Sequence, residues 1–241
     1  MFYQQQEFDI RFEWGLSGIE ALAPVTDVVI IVDVLSFSTS LDIATAKGAI
    51  VYPYKWNDES ALNYAKSIGA YLAEAKRTTT GGYSLSPSSL TGIVTGTRLV
   101  LPSPNGSTLS LATGSTLTLC GCFRNAEAVA NYAMQTGRRI TVIAAGERWL
   151  NGTLRPAFED LVGAGAIISY LRGSLSPESK IALSAFNQLK DNLPEEIKNC
   201  SSGKELMEMG FEKDVELACL LNASNNVPML KDMAYVGLTT V

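Results

Sequence analysis

Asp33 stands where an apolar run stops. Val28-Val29-Ile30-Ile31-Val32 reads as a buried strand, and hydroxyl-rich Ser36, Ser38, Thr39 and Ser40 follow the aspartate. A carboxylate there can cap the next helix. It can also ligate a metal or attack a phosphoryl group. Other segments repeat the pattern. Glu74 falls at the end of "AYLAEA", Asn105-Gly106 follow "TRLVLPSP", and Glu147-Arg148 follow "RRITVIAAG". Glu159-Asp160 open the helical pattern "AFEDLVGAGAIISYLRG". Carboxylates from separate segments with few basic neighbours suit Mg²⁺, which takes one or two protein oxygens and fills its shell with water and phosphate. The chemistry these residues could do is therefore that of a divalent-metal or phosphoryl site.

Each candidate has a structural reading beside the chemical one. Asn105-Gly106 is by itself a turn signal. Here it precedes a Ser/Thr-rich helix start whose backbone N–H groups can receive a phosphate. Asn125 is an ordinary helix N-cap. Arg124, just before that helix, stands at the positive end of its dipole and favours an anion nearby. Adjacent Glu159-Asp160 in a first helical turn also complement the dipole. Gly163 and Gly165, inside the same helix, cost about 1 kcal/mol each relative to alanine, so the spacing predicts close backbone packing there. Asp214 reads as a cap of the second of two helices broken by Gly210. A strand ending in Asp is similar to haloacid-dehalogenase-type phosphatases. However, Leu35 occupies the place of their second aspartate, so the general acid of that mechanism is missing.

The elements that must position these groups follow from periodicity. Strands are expected over 28–33, 49–54, 70–75, 97–104, 115–123, 138–146 and 232–241. Helices are expected over 38–47, ending at Gly48, and 58–69, with Asp58 as N-cap and Gly69 after the last turn. Further helices are expected over 125–137, 157–173 and most of 177–222, with a short one inside 105–114. Residues 77–96 read as a polar, Gly-rich loop. Strand–helix alternation of this kind predicts an α/β fold, a layered α/β/α arrangement with a mostly parallel or mixed sheet. A single domain over 1–241 is expected, with 174–228 able to form a C-terminal helical lobe. The candidate groups then share the carboxyl edge of the sheet, where open α/β sheets hold ligands.

Composition excludes much. There is no histidine among the 241 residues, so Ser-His-Asp and Cys-His catalysis, phosphohistidine chemistry and His-ligated zinc are ruled out. Acid–base work falls to carboxylates, Lys, Tyr, Cys or metal-bound water. A net charge of −5 without a basic cluster argues against nucleic acid as a partner. The longest apolar runs are too short for a membrane span, and "MFYQQQEFDIRFEWG" lacks a signal peptide's basic and apolar regions. A cytoplasmic protein is expected. Cys120, Cys122, Cys200 and Cys219 read as reduced, mostly buried thiols. No G-x-G-x-x-G follows a strand, which discards a dinucleotide site.

The ordered segments "VDVLSFSTS", "LAEA", "LPSPNGS", "CFRNAEAVA", "AAGERW", "AFEDLVGAGAII" and "SSGKELMEMGFEKDVELA" to "VP" resemble the 2-phosphosulfolactate phosphatases (ComB-type) along nearly the whole chain. The resemblance implies a magnesium-dependent phosphatase acting on O-phospho-sulfolactate, a step towards coenzyme M, on a layered α/β fold. Asp33, Glu74, Asn105, Gly106, Asn125, Glu159 and Asp160 fall in the matching segments. The chain also departs from the family pattern. Ser36-Phe37 replace the Arg-Ala of V-D-V-x-R-A, T-T-N-G becomes Ser103-Pro104-Asn105-Gly106, and the usual E-R reads "EAKR". Loss of an arginine removes a bidentate anion contact.

The site expected on these grounds has Asp33, Glu159 and Asp160 as Mg²⁺ ligands and Glu74 or Glu147 as base, with Asp33 an alternative nucleophile. Asn105, Gly106, Arg124, Asn125 and Arg148 bind the phosphate. The partner is a small phosphorylated substrate, and a homodimer is compatible with it. The competing reading is a non-catalytic small-anion-binding protein that keeps the fold.

Overall fold

Short apolar runs alternating with amphipathic segments become, in the computed structural model, a mixed sheet with helices on both faces. The structure describes residues 1–78 and 81–239. Of the loop expected over 77–96, residues 79 and 80 lie outside the described residues. So do residues 240 and 241 of the last expected strand.

The strands are β1 (Ile10–Trp14), β2 (Val28–Val32), β3 (Ile50–Tyr54), β4 (Tyr71–Leu72), β5 (Arg98–Pro102), β6 (Leu117–Gly121), β7 (Ile140–Ala144), β8 (Glu147–Arg148), β9 (Leu154–Arg155), β10 (Asn226–Lys231) and β11 (Ala234–Thr239). Nine of them form one sheet in the order β1-β7-β2-β6-β10-β11-β3-β5-β4, and β8-β9 form a separate ribbon. The pairings among β1, β7, β2 and β6 are parallel, as are those among β3, β5 and β4. The β10-β11 hairpin joins the two blocks through antiparallel pairs. The two parallel blocks therefore run in opposite senses.

This topology forces a curl. Adjacent strands rotate by roughly 20–25°, so the five steps from β2 to β5 turn the strand direction by about 100–125°. The loop after β5 is thereby brought back over the loop after β2. The hydrogen bond from the Gly106 N–H to Asp33 Oδ2, 2.8 Å, closes that approach.

Inside the curl lies helix α2 (Phe37–Ala46), which packs on β6, β10, β11 and β3. Phe37 through Thr45 are all buried. It belongs to one apolar core with Val29, Ile31, Val51, Leu99 and Tyr235. The opposite face of the sheet is covered by α5 (Ala126–Thr136) and α6 (Phe158–Ile168). Helices α7 (Pro177–Leu189), α8 (Leu193–Asn199), α9 (Ser201–Glu208) and α10 (Glu212–Ala218) add Phe186, Ile197, Leu206 and Val215 to the same core. The remaining helices are α1 (Gly15–Leu22), α3 (Glu59–Ser67) and α4 (Gly106–Ala112).

Local expectations hold where the signal is local. Asp58 accepts hydrogen bonds from the Ser60 and Ala61 N–H groups at the start of α3, and Gly69 follows that helix at φ +62°. Four strands escape the periodic reading: the two-residue β8 and β9, and two longer ones. β1, "IRFEW", alternates charge with apolar residues at a sheet edge and buries Arg11 completely. β10 carries Pro228, a residue that argues against a central strand. The strand expected over 70–75 shortens to Tyr71–Leu72 at the other edge.

The glycines of α6 explain themselves by what surrounds them. A Cβ on Gly163 would lie 2.6 Å from Val34 Cγ2, and one on Gly165 would collide with the Ala182 carbonyl and stand 2.8 Å from Phe186 Cβ. Helix α6 thus rests directly on the residue after Asp33 and on α7. On an exposed helix Gly→Ala gains stability. Here Gly165→Ala is expected to cost about 1–3 kcal/mol by overpacking, read as a lowered urea midpoint. A raised midpoint would show that the crossing is looser than described.

Candidate functional site

The site is assembled from the first turn of α6. Asp160 is buried and accepts the Val34 N–H on Oδ1 and the Gly146 N–H on Oδ2, both at 2.8 Å. One side chain thereby ties the loop after β2 to the loop after β7. Burial, and then the charges of Glu159 and Asp33, push its carboxyl well above the ordinary range despite the two amides.

Asp33 lies beside this clasp. Its Oδ2 takes the Gly106 N–H at 2.8 Å and its Oδ1 takes the Phe37 N–H at a long 3.4 Å. Its own backbone is pinned by Ser38, whose Oγ accepts the Asp33 N–H and whose N–H donates to the Asp33 carbonyl. A Cβ at position 106 would crowd Phe37 and lie 2.8 Å from Asp33 Oδ2, so only glycine brings its amide so close. Burial raises the Asp33 carboxyl to about 6, with Glu159 adding to the rise and the two amides and Arg77 opposing it.

Glu147 approaches from the β8-β9 ribbon, directly opposite Arg155. Asn105 Nδ2 donates to Glu147 Oε2 at 3.0 Å, which joins the loops after β5 and β7. Burial first, then Asp33 and Glu159, lift its carboxyl to about 7. Asn105, Glu147 and Arg148 line a cavity of about 180 Å³ walled by Trp14, Leu109 and Leu154. Arg148 is exposed and donates to the Gly152 carbonyl at 3.1 Å.

One cation at the site was not foreseen. Arg77 reaches in from the loop after β4, and Asp33 and Glu147 are among the negative charges acting on it. Its Nη1 donates to Ser36 Oγ at 3.0 Å and to the Leu85 carbonyl at 3.4 Å, and lies 3.6 Å from Asp214 Oδ2. Asp214 does not cap its own helix. It reaches across to the loop 84–90, where Oδ1 accepts from Ser86 Oγ, Ser88 Oγ and the Ser88 N–H. Position 36, expected to lack an arginine, therefore has one laid against it from elsewhere. The sequence signal was the arginine of "EAKR", noted as a departure from the family's E-R and as the start of a loop but not as a site residue.

Three expected residues are not brought to this cluster. Glu74 is exposed and lines a separate open groove with Tyr71, Gly82 and Ser88. Arg124 makes a 2.8 Å ion pair with buried Asp42 and donates to the Leu217 carbonyl. Asn125 is fully buried, accepting the Cys122 N–H and donating to the Cys120 and Asn226 carbonyls. Asn125 precedes α5 as expected but makes no side-chain cap bond to it, so both side chains tie neighbouring segments together instead of facing an anion.

Among the described residues no group of three or more His, Cys, Asp or Glu side chains is disposed to hold a metal ion. Asp160 in particular has each oxygen aligned on an amide, which accounts for its place as a clasp rather than a third ligand. Mg²⁺ does not need three carboxylates, since water and phosphate complete its shell. Asp33 Oδ1 has only the long Phe37 contact, and Glu159 Oε2 meets the Cys200 thiol at 3.4 Å. The charge of Glu159 raises the Asp33 carboxyl more than Arg77 lowers it, and two such under-neutralised hard oxygens suit a divalent cation.

The fold and this pocket define an α/β protein built around a buried acidic centre where its loops converge. The model of the 2-phosphosulpholactate phosphatase family matches residues 19–233, and the chain belongs to that family. A probable 2-phosphosulfolactate phosphatase of Carboxydothermus hydrogenoformans is 33% identical over 83% of this chain and 84% of its own length. A 2-phosphosulfolactate phosphatase of Methanothermobacter thermautotrophicus is 30% identical over 84% and 86%. A probable one of Thermotoga petrophila is 29% identical over 86% and 90%.

Two outcomes test this geometry. Removing one partner of a buried ion pair strands the other charge, so Arg124→Ala should lower stability by about 3–5 kcal/mol in denaturant titration. An Arg124→Ala protein of unchanged stability but weakened substrate binding would return Arg124 to the site. The second concerns Glu147. With its folded carboxyl near 7 against an ordinary 4.5, the folded state holds a proton that the unfolded chain has released between those values. Stability of the metal-free protein should therefore fall as pH rises from 5 to 8. Glu147→Gln should flatten that fall, gaining on the order of 3 kcal/mol over wild type at pH 8. Equal slopes with chelator present would contradict the assigned environment.

Proposed function

We propose that this protein hydrolyses the phosphate monoester of 2-phosphosulfolactate, or of a related small phosphorylated hydroxy acid, with Mg²⁺ as cofactor. Family membership and the names of the relatives support the reaction class. The observation that carries it is the mutual electrostatic influence of Asp33 at the end of β2, Glu147 of β8 and Glu159 in the first turn of α6, which together make one acidic centre, with Arg77 acting on it. A cytoplasmic location and a step towards coenzyme M accompany this reading.

Asp33 and Glu159 would hold the cation. When bound, Mg²⁺ would supply charge that polarises phosphoryl oxygens and offsets the negative charge of the ester. The chain's own residues do the rest. Glu147 is the base: a carboxyl titrating near neutrality can accept a proton and still be deprotonated at working pH. Asn105 fixes one of its oxygens, and the other would take the proton of the attacking water. As that water's oxygen bonds to phosphorus, its proton passes to Glu147. The ester P–O bond breaks and the leaving alkoxide takes a proton from solvent. Asp33 as nucleophile is the competing route, through an acyl phosphate that water then hydrolyses.

Hydrolysis should require added Mg²⁺. Asp33→Asn should abolish turnover with the fold intact by circular dichroism. Glu147→Gln should lower kcat by about 10²–10⁴-fold. Rapid quench with ³²P-labelled substrate separates the routes, since label retained on the protein would reject direct water attack. Wild type that binds phosphorylated hydroxy acids but turns over none, with or without Mg²⁺, would replace this reading with that of an anion-binding protein.

A further inference from the structure

We infer that Arg77 is the residue that grips the phosphoryl oxygens of the substrate, and that Asp214 positions it. The inference rests on the phosphatase reading for its substrate but on different residues for its evidence. The guanidinium carries a planar fork of five donors suited to tetrahedral oxyanions. In this structure its protein contacts gather on one nitrogen. Nη1 meets Ser36 Oγ, the Leu85 carbonyl and Asp214, while among the described residues no acceptor takes a hydrogen bond from Nε or Nη2. The side chain is 17% exposed, so it is largely enclosed without being sealed from solvent.

A purely structural ion pair would look different. Asp214 is fully buried, and its Oδ1 is occupied by three donors from Ser86 and Ser88. Its Oδ2 stands 3.6 Å from Nη1 and forms no hydrogen bond. The carboxylate thus flanks the guanidinium without closing on its fork, and the unused donors remain available to a ligand. Ser36, the residue that Nη1 touches, is the N-cap of α2 and lies three positions beyond Asp33. An oxyanion bound by Nε and Nη2 is therefore held at the border of the acidic centre, where a lone carboxylate cluster would repel it.

The test measures inorganic phosphate binding by calorimetry and hydrolysis kinetics on wild type, Arg77→Ala, Arg77→Lys and Asp214→Asn. Arg77→Ala should lose phosphate binding and product inhibition and drop kcat by about 10²–10³-fold. Guanidinium ion should restore part of that loss. Arg77→Lys should keep the point charge and recover binding partly but kcat poorly. Asp214→Asn should weaken phosphate binding by about tenfold, and guanidinium should not rescue it. If Arg77→Ala does not fold, the Arg77→Lys comparison decides alone. Unchanged phosphate binding and kcat in the variants, with lowered melting temperature, would reduce Arg77 to a structural tie and overturn the inference. So would a rise in KM confined to substrates bearing a second acid group, with kcat kept, since Arg77 would then hold that group instead. Wild type that hydrolyses no phosphate ester but loses phosphate binding on Arg77→Ala would leave this inference standing while the reaction class falls.

Discussion

The structure hangs on one carboxylate with two backbone amides. Asp160 accepts the Val34 and Gly146 N–H groups at 2.8 Å each, and so welds the first turn of α6 to the loops after β2 and β7. Neither amide has a ladder partner beyond the strand end. Left unpaired in this buried setting, each would cost about 1–3 kcal/mol. The same contact sets the height of α6 over the sheet, which is why Gly163 must lack a side chain against Val34. It also commits the preceding residue. Glu159 follows from the helix register into the interior, where its charge acts on Asp33. A structural carboxylate thus fixes the place of the carboxylate beside it.

The second constraint is the reversal of the sheet. Because β10 and β11 separate two parallel blocks that run in opposite senses, a flat sheet would put the loop after β5 far from the loop after β2. Twist alone turns the strands enough to bring them together around α2. The hairpin itself is secured from inside: Asn226 Nδ2 donates to the Asp42 carbonyl and to Thr45 Oγ1. Asp42 also accepts from Ser224 Oγ at 2.6 Å and from Arg124. This network explains why Arg124 and Asn125 are engaged in holding the hairpin against α2 rather than in meeting a ligand.

What could be read from the residues follows from the range of the interaction. The strand before Asp33, the capped helix at Asp58 and the close-packed glycines of α6 announce themselves within a few positions, and the structure agrees with each. The approach of Asp33, Asn105 and Glu147 was legible through a rule of topology, that ligand groups collect at strand carboxyl ends, whereas Glu159 stood in a helical first turn to which that rule does not apply. The same rule misplaced Glu74. It lies two residues past the short edge strand β4, where the chain turns away to pair with Ser84 outside the cluster. β1 and β10 went unread because an edge strand with a buried arginine and a central strand with a proline each contradict the local signal that a strand is expected to give.

Arg77 shows why composition of a motif and composition of a site are different quantities. Reading along the chain, a serine at position 36 implied a missing positive charge. In space that serine accepts a hydrogen bond from Arg77, forty-one positions later. The charge arrives from a loop instead of a helix start, and this changes what it depends on. A guanidinium rooted at the N-cap of α2 would be fixed by α2 alone. Arg77 instead leans on Asp214 of α10, which is itself held by Ser86 and Ser88. Its placement therefore requires α10 to be docked on the loop 84–90, so the C-terminal helices are electrostatic parts of the acidic centre although none of them borders β2. The acidic centre is then completed only when both ends of the chain's fold have come together, and no segment of the sequence taken alone contains it.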